Sequence, residues 1–334
     1  MKILLSEAKP FYKAALHCHS QNSDGALSVE ELKEAFKKQG YSVVAFTDHE
    51  HLIDNSYLDD EDFLTITSCE IAIKQYPAES TLKNYCMKVT HLNFYALDKH
   101  NVVTPCYNSV YDHFKNPRIE PLVKHRGEYE RVYSHEGVSA IIKEASQQGF
   151  LVSYNHPYWS LENATDYLGY EGLFAVEIYN HGVDVAGGNS YCPSVFDDLL
   201  RSGKKVFCTM CDDNHNRHPL DSCNSDIFGG FVMINAEKLD YETIMTALQK
   251  GDFYASQGPE IKSLVLDGDT VTVKTSPAER ISLSTCGRRT DAVNAEKGEG
   301  VTEAVFKVRE CDKYFRITVT DEKGRHAHSQ SYEV

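Results

Sequence analysis

Residues 28–49, SVEELKEAFKKQGYSVVAFTDH, predict a helix followed at once by a buried strand. Ser28 and Glu31 have capping-box spacing, apolar residues then recur at helical intervals, and Gly40 ends the helix. The β-branched and aromatic run after Gly40 is too short for a helix and is typical of a buried strand. This strand ends in the polar triplet TDH.

The same alternation recurs further along the chain. Helical patterns at 138–149 and 194–203 precede strand patterns at 150–156 and 204–213, and another strand pattern covers 173–180. Alternating strands and helices predict an α/β fold built from parallel βα units. In such folds, ligands gather at the carboxyl ends of the strands.

The pattern of apolar and polar residues changes from about Gly258. Apolar and polar residues alternate over several short segments, with turn signals at Asp267-Gly268 and Lys323-Gly324. We therefore predict two domains, a catalytic domain at 1–257 and a small antiparallel β-sandwich at 258–334. Residues 98–135 show little periodicity, which predicts an inserted loop in the first domain.

The bulk properties exclude several classes of function. The 334 residues have a formal net charge of -15, so a broad basic surface for long nucleic acids is not expected. The first residues are too briefly apolar for a secretory segment, and no membrane-spanning stretch is visible. Ten cysteines in a chain without an export signal are expected to be reduced thiols. We expect a cytoplasmic protein without a membrane partner.

The strongest local chemical signal is ALHCHSQNSDG at 15–25. His17 and His19 alternate on an extended segment, so their imidazoles can point to the same side and bind a divalent transition metal. A pair with this spacing also occurs at His326 and His328, which we interpret as structural residues.

Other metal-capable side chains distinguish the first pair from the second, because each of them follows an apolar run at the end of a predicted strand. These residues are Asp48, His49, Glu70, His91, Asn155, His156, Glu177, Asp213, Asn214 and His215. Strand ends of a parallel barrel converge, which favours one shared centre. Taken singly, each residue is explained equally well as a hydrogen-bonded structural side chain.

The order of these motifs resembles that of the polymerase and histidinol phosphatase (PHP) family. From residue 17 to residue 215, the motifs are HxH with a following Asp-Gly, TDH, a lone Glu, HL, NHP and DxH. The segment FYASQGP at 253–259 resembles the entrance to the β-sandwich that follows some PHP-like phosphoesterases. The resemblance implies a distorted (β/α)7 TIM-like barrel that holds three metal ions.

The resemblance also implies the ligands of each ion. His17, His19, Glu70 and Asp213 would bind the first, Glu70, His91 and His156 the second, and Asp24, His49 and His215 the third. Several family members have a histidine at the position of Asp24. Mixed imidazole and carboxylate ligands suit zinc, manganese or iron, and the two oxygens of a glutamate suit a bridging role.

The implied function is hydrolysis of a phosphate ester of a small soluble metabolite, a phosphomonoester or nucleotide, by a metal-bound hydroxide at the trinuclear centre. The chain would then be a hydrolase acting on ester bonds (EC 3.1). A metal-dependent amide or lactone hydrolase and a non-catalytic metal-binding regulatory module are the alternatives.

Four further residues are candidates for the catalytic machinery. Asp48 and Asp212 adjoin proposed ligands and are expected to orient them. Glu177 could orient or bind, and His181 could donate to a phosphate or leaving group; a structural role explains either residue equally well.

Basic residues in the insertion, Arg118 and Arg126 among them, are candidates for substrate binding on a lid, since arginine pairs with phosphate through two hydrogen bonds. Solvated surface charges are the alternative explanation.

Overall fold

The computed structural model describes residues 1–75, 87–113 and 116–334. They form a mixed α/β protein. Its helices are α1 (Val29–Lys38), α2 (His135–Gln147), α3 (Ala164–Tyr167), α4 (His181–Val185), α5 (Pro193–Arg201) and α6 (Tyr241–Lys250). Within the described part of the chain, no helix has the length and apolar character needed to cross a membrane.

Twelve strands of the described residues lie before residue 257. They are β1 (Lys2–Leu5), β2 (Phe11–Ala15), β3 (Tyr41–Phe46), β4 (Leu64–Lys74), β5 (Val89–Ala96), β6 (Val103–Thr104), β7 (Lys124–His125), β8 (Phe150–Tyr154), β9 (Ala175–Asn180), β10 (Phe207–Cys211), β11 (Phe231–Asn235) and β12 (Phe253–Ser256). Hydrogen bonding orders most of them as β10-β9-β8-β5-β4-β3-β2-β11-β12.

The helix and strand predicted from residues 28–49 are confirmed as α1 and β3. The Ser28 hydroxyl accepts from the Glu31 amide, and the Glu31 carboxylate accepts from the Ser28 amide. Gly40 follows the helix with φ of 74°, a left-handed conformation that suits glycine. Capping and periodicity are local properties, so the sequence alone was sufficient to predict this unit.

The prediction that His91 lies at the end of a strand was wrong, because it lies near the start of β5. This strand runs antiparallel to both neighbours, with His91 opposite Ala72 of β4 and Leu92 opposite Tyr154 of β8. The amino-terminal end of an antiparallel strand lies at the same edge as the carboxyl ends of its parallel neighbours. His91, near the start of β5, therefore reaches the edge that its neighbours reach with their later residues.

The two strands β2 and β10 meet beyond their ends, although they lie apart in the strand order. The Asp213 amide donates to the His17 carbonyl and the His19 amide donates to the Asn214 carbonyl, each at 3.1 Å. A parallel bridge joins Cys18 and Asn214. The segments that follow β2 and β10 are thus hydrogen-bonded to each other at the edge where the candidate ligands lie.

The segment between β5 and α2 is attached to the sheet by a buried ion pair. Arg131 donates to both carboxylate oxygens of Glu50 at 2.7 and 2.6 Å, and also to the carbonyls of Ala72 and Cys106 at 2.9 Å. Its guanidinium lies over the Tyr111 ring at 4.7 Å. Glu50 follows His49, so this attachment lies directly beside a candidate ligand.

The remaining strands form the region after residue 258. They are β13 (Ile261–Asp267), β14 (Thr270–Ala278), β15 (Arg280–Thr285), β16 (Thr290–Asn294), β17 (Val301–Lys307), β18 (Tyr314–Thr320), β19 (His326–Ser329) and β20 (Tyr332–Glu333). One sheet has the order β1-β13-β14-β17, and the other strands continue the large sheet from β12 as β19-β18-β15-β16, with β20 beside β18.

Both groups of strands share one apolar core. Leu264 and Val273 come from the first sheet, and Ile281 and Ile317 come from the second. All four are fully buried, so truncating Leu264, Ile281 or Ile317 to alanine would cost about 2–5 kcal/mol. Leu5 of β1 packs into the same core, which ties the start of the chain to its last third.

Candidate metal centre

His17 and His19 lie on the extended segment that follows β2. Both side chains are fully buried, and their Nε2 atoms are 3.3 Å apart. The Asp213 carboxylate lies against both, with Oδ1 at 3.1 Å from His17 Nε2 and 3.0 Å from His19 Nε2. The alternation of an extended chain therefore places the two imidazoles on one side, as the sequence predicts.

Glu70 lies at the centre of the histidine cluster. Its Oε1 is 3.0 Å from His91 Nδ1, 3.3 Å from His17 Nε2 and 3.4 Å from His156 Nε2. Its Oε2 is 3.1 Å from His49 Nδ1. The prediction that Glu70 follows its strand was wrong, because β4 continues to Lys74. The chain after β3 runs beside β4, which brings His49 to Glu70 in the middle of that strand.

Three groups of side chains in the described residues have donor atoms close enough to share an ion. They are His17 with His19 and Asp213; His17 with Glu70 and His156; and His19 with Asp24, His49 and His215. Eight of the nine predicted ligands belong to these groups, and the ninth, His91, contacts Glu70. The fold thus brings together residues that are up to 198 positions apart in the sequence.

The charges of the first two groups suit divalent cations. Burial opposes ionisation of Glu70, but His91 and His17 hold the pKa of its carboxyl well below the usual range. Burial likewise opposes ionisation of Asp213, and His17 and His19 hold its pKa low. Two ionised carboxylates among converging imidazole nitrogens form a donor set that fits zinc, manganese or iron. Within the described residues, the buried His19 Nδ1 lacks a hydrogen-bond partner.

The third group is closer to the surface. His215 Nε2 lies 3.2 Å from Asp24 Oδ2, and despite burial this carboxylate and Asp213 raise the pKa of His215 to about 9. Burial and the adjacent His19 lower the pKa of His49 to about 3. Arg217, which the sequence interpretation missed, places Nη2 3.5 Å from Asp24 Oδ2. Its position two residues after His215 on the same loop was the available signal.

Glu177 supports His17 from outside the cluster. Its Oε1 lies 3.1 Å from His17 Nδ1, while Oε2 accepts from the His156 amide at 2.8 Å and from Asn180 Nδ2 at 3.0 Å. Asn180 also donates to Asp213 Oδ2 at 3.1 Å. Of the two roles left open for Glu177, this geometry corresponds to orientation. Asn180 was missed, although it ends the strand that carries Glu177.

Asn155 gives similar support to the central carboxylate. Its side-chain amide donates to Glu70 Oε1 at 2.8 Å. The next residue, His156, has φ of 27°, and Asp213 has φ of 55°, both in the left-handed region that non-glycine residues rarely adopt. Such strain persists where surrounding contacts enforce it, and it occurs here at two residues that face the cluster.

Asp48 and Asp212 hold loops rather than contacting the cluster. Asp48 accepts from the Ser20 amide, the Ser20 hydroxyl and the Ser23 hydroxyl, each at 2.8 Å. This orders the loop that carries Asp24. The Asp-Gly step there is tight, because a Cβ on Gly25 would lie 2.5 Å from the His19 carbonyl oxygen.

Asp212 accepts from the amides of Phe228, Gly229 and Gly230 at 2.7 to 2.8 Å. Burial outweighs these hydrogen bonds and raises its pKa to about 7. The same loop carries Asp226, whose carboxylate accepts from the His215 amide at 2.7 Å. Asp212 therefore acts on the third group through the loop.

The other predicted site residues lie at the periphery. His181 begins α4, with Nδ1 2.9 Å from the Tyr179 hydroxyl, and burial lowers its pKa. Arg118 and Arg126 are exposed, and no side-chain contact joins them to the cluster within the described residues. The insertion does reach the site, because Asn116 Nδ2 donates to the Gln21 carbonyl at 3.0 Å.

A cavity of about 420 Å³ opens beside the cluster. Asp213, His215 and Arg217 line its polar side, and Trp159, Val183 and Val185 line its apolar side. This volume lies within the range of about 300–1,000 Å³ that is typical of small-molecule sites. Trp159 and the helix α4 were not singled out from the sequence.

The chain is similar to several solved structures, two of which are as follows. A two-domain protein containing a predicted PHP-like metal-dependent phosphoesterase, from Bacteroides vulgatus, shares 12% identity over 100% of this chain and 97% of that chain, with a TM-score of 0.45. An amidohydrolase from Chromobacterium violaceum, with bound sulfate and no metal, shares 14% identity with this chain. The match covers 60% of this chain and 87% of the amidohydrolase, with a TM-score of 0.39.

No curated protein matches the sequence. The PHP domain family model matches residues 15–191, more than half of the 334 residues. The match includes seven of the nine candidate ligands, and β10 brings the other two, Asp213 and His215, to the same cluster. By this match, the chain belongs to the PHP family.

Proposed function

We propose that this protein is a metal-dependent phosphoesterase that hydrolyses a phosphate ester of a small metabolite, either a phosphomonoester or a nucleotide. The observation that carries the proposal is the convergence of nine imidazole and carboxylate side chains, the buried Glu70 among them, beside a cavity with an arginine at its rim. Membership of the PHP family supports a metal-dependent hydrolase.

Three ions are proposed, with zinc, manganese or iron as the metal. Their ligands are His17, His19, Glu70 and Asp213; Glu70, His91 and His156; and Asp24, His49 and His215. When bound, divalent ions in such a cluster activate water and neutralise charge on the phosphoryl group.

The residues around this centre have positioning roles. Glu177 holds the His17 ring through Nδ1, which leaves Nε2 directed at Glu70 and Asp213. Asn155 and Asn180 orient the two carboxylates. Because these partners fix the ligands before an ion binds, little reorganisation accompanies binding.

Substrate binding is assigned to the rim of the cavity. Arg217 is exposed over two thirds of its side chain and lies beside the third group, where its guanidinium can pair with phosphate oxygens. His181 begins the helix whose Gly182, Val183 and Val185 line the cavity, and from this position we propose it as a hydrogen-bonding group for the substrate.

The fold proposal follows from the strand order. We propose that β2, β3, β4, β5, β8, β9 and β10 form the distorted seven-stranded barrel, and that the two sheets after residue 258 form a β-sandwich domain to which β1 is added. The contacts between the segments after β2 and β10 support closure of the barrel.

The test is product release from metal-replete protein across a panel of phosphomonoesters, nucleotides, amides and lactones. We expect inorganic phosphate from at least one phosphate ester, loss of that activity with EDTA, and its return with Zn²⁺, Mn²⁺ or Fe²⁺. Activity on amides or lactones alone would contradict phosphate specificity. Full metal loading without turnover of any substrate would favour a regulatory module.

A further inference from the structure

Trp159 is the only tryptophan of the chain, and 51% of it is exposed. Its ring centroid lies 4.8 Å from that of His156, at 74°, and 5.3 Å from that of His91, at 49°. The indole therefore packs on two candidate ligands with one part and faces solvent with another. A large aromatic group that is half-exposed beside a polar site has apolar area available for a ligand.

The loop that carries Trp159 is held at both ends. The Ser160 amide donates to the His156 carbonyl at 3.2 Å, and the Ser160 carbonyl accepts from the Val89 amide at 3.3 Å. Just beyond it, the buried Glu162 accepts from the hydroxyls of Thr90 and Tyr133 at 2.7 Å and of Tyr154 at 2.6 Å. The indole is thus presented by a rigid loop, so binding against it costs little ordering entropy.

The helix α4 supplies more of the apolar side of the cavity. Val183 and Val185 line the same space as Trp159. The Asn180 side chain caps the helix by accepting from the Val183 amide at 2.9 Å, and the Gly182 amide donates to the Asp212 carbonyl at 2.7 Å. These bonds anchor α4 to the end of β9 and to the segment that carries Asp213.

The cavity therefore has two chemically distinct sides. Asp213, His215 and Arg217 offer metal-binding and cationic groups, whereas Trp159, Val183 and Val185 offer apolar surface. Its volume of about 420 Å³ exceeds what a bare oxyanion needs and lies in the range of organic ligands. The cavity is also lined by His218, Asn224 and Asp226, but where Trp159, Val183 and Val185 line it, an apolar group is favoured over a polyhydroxylated one.

We infer that the substrate carries a planar aromatic group, which packs between Trp159 and the valines of α4, while its phosphate faces Arg217 and the metal ligands. Trp159 is then a specificity-determining residue. The inference rests on the proposed function and adds the chemical class of the organic part of the substrate.

The single tryptophan provides a direct assay. Zinc-loaded protein is titrated with phenylphosphonate and with methylphosphonate, which share a non-hydrolysable phosphonate and differ in the ring. We expect a saturable change in Trp159 emission with phenylphosphonate, and binding roughly 3- to 10-fold tighter than that of methylphosphonate. Calorimetry measures both affinities in Trp159→Phe, which should keep most of this preference, and in Trp159→Leu and Trp159→Ala, which should lose it.

Two controls isolate the role of the ring. Zinc content is measured for every variant, because Trp159→Ala could weaken metal binding by leaving a gap beside His91 and His156. Trp159→Leu fills that gap with an apolar side chain that has no aromatic ring. Val305→Ala changes a residue that is 56% exposed on β17 and should leave both affinities unchanged. Equal affinity of the native protein for both phosphonates, or a preference that survives in Trp159→Leu, would overturn the inference but not phosphate binding. If neither phosphonate binds, the proposed phosphoesterase function fails as well.

Discussion

Glu70→Gln should remove two of the three proposed ions while leaving the third in place. The substitution preserves the size of the side chain but removes its charge and replaces one metal-binding oxygen with an amide nitrogen. Glu70 Oε1 faces His17, His91 and His156, and Oε2 faces His49. An amide NH₂ at either position cannot bind a cation.

The size of the effect follows from the ligand sets. Without Glu70, the first proposed ion keeps three protein ligands and the second keeps two, whereas the third keeps Asp24, His49 and His215. Loss of an outer hydrogen-bonding partner typically costs about 10–100-fold in metal affinity, so loss of a direct ligand should cost more than about 100-fold at each of the two sites. We therefore expect the bound metal to fall from about three ions per chain to about one.

Glu177→Gln is the matched control. Both carboxylates are 1% exposed, and both contact His17, but Glu177 does so from outside the cluster. Metal content is measured by elemental analysis after dialysis against buffered free metal, and thermal unfolding shows whether each variant is folded. We expect Glu177→Gln to keep all ions at saturating metal with about 10–100-fold weaker binding. A Glu70→Gln protein that retains about three ions, or equal losses in the two variants, would refute the bridging assignment.

Three other changes test separate parts of the structure. Arg131→Met leaves the buried Glu50 carboxylate without its partner, so the free energy of unfolding measured in urea should fall by about 3–5 kcal/mol. A fall of less than about 1 kcal/mol would contradict the buried ion pair. Burial, Arg316 and His326 hold the pKa of His328 well below 6.5. Folding therefore favours the neutral ring, and the stability that this provides is present above pH 6.5 and is lost as the pH falls. The free energy of unfolding should change by up to about 1.4 kcal/mol per pH unit. In His328→Gln this part of the slope in pH-dependent unfolding should vanish, and an unchanged slope would exclude His328 as its source. Replacing Arg118 and Arg126 with alanine should raise the Michaelis constant for phosphomonoesters about 10-fold if the insertion is a lid, and an unchanged constant would end that proposal.

His328 illustrates how a histidine pair with ligand spacing can be structural. Arg316 Nη1 lies 3.2 Å from His328 Nδ1, and the Tyr191 hydroxyl lies 2.7 Å from Nε2. Because a guanidinium can only donate, Nδ1 must accept, and a proton there would face the positive charge of Arg316. Both ring nitrogens are thus engaged, in agreement with the structural interpretation of this pair.

The local elements and the ligand types could be predicted from the sequence. The capping box at Ser28, the glycine stop at Gly40 and the short apolar run between Gly40 and Asp48 depend on neighbours a few residues apart, so they are visible without the fold. The alternation of His17 and His19 is equally local. Nine candidate ligands could be named because imidazoles and carboxylates followed one another in the order of a known motif set.

Only the tertiary structure decided how these elements are arranged. The antiparallel direction of β5, the position of Glu70 within β4 and the use of Asp212 on loop amides all depend on which distant strands pair. Trp159 carries no distinguishing local pattern, and Arg217 has only its position near His215; the importance of both arises from what the fold places beside them. Strand pairing is determined by the burial of whole faces against one another, a non-local property that residue spacing along the chain does not encode.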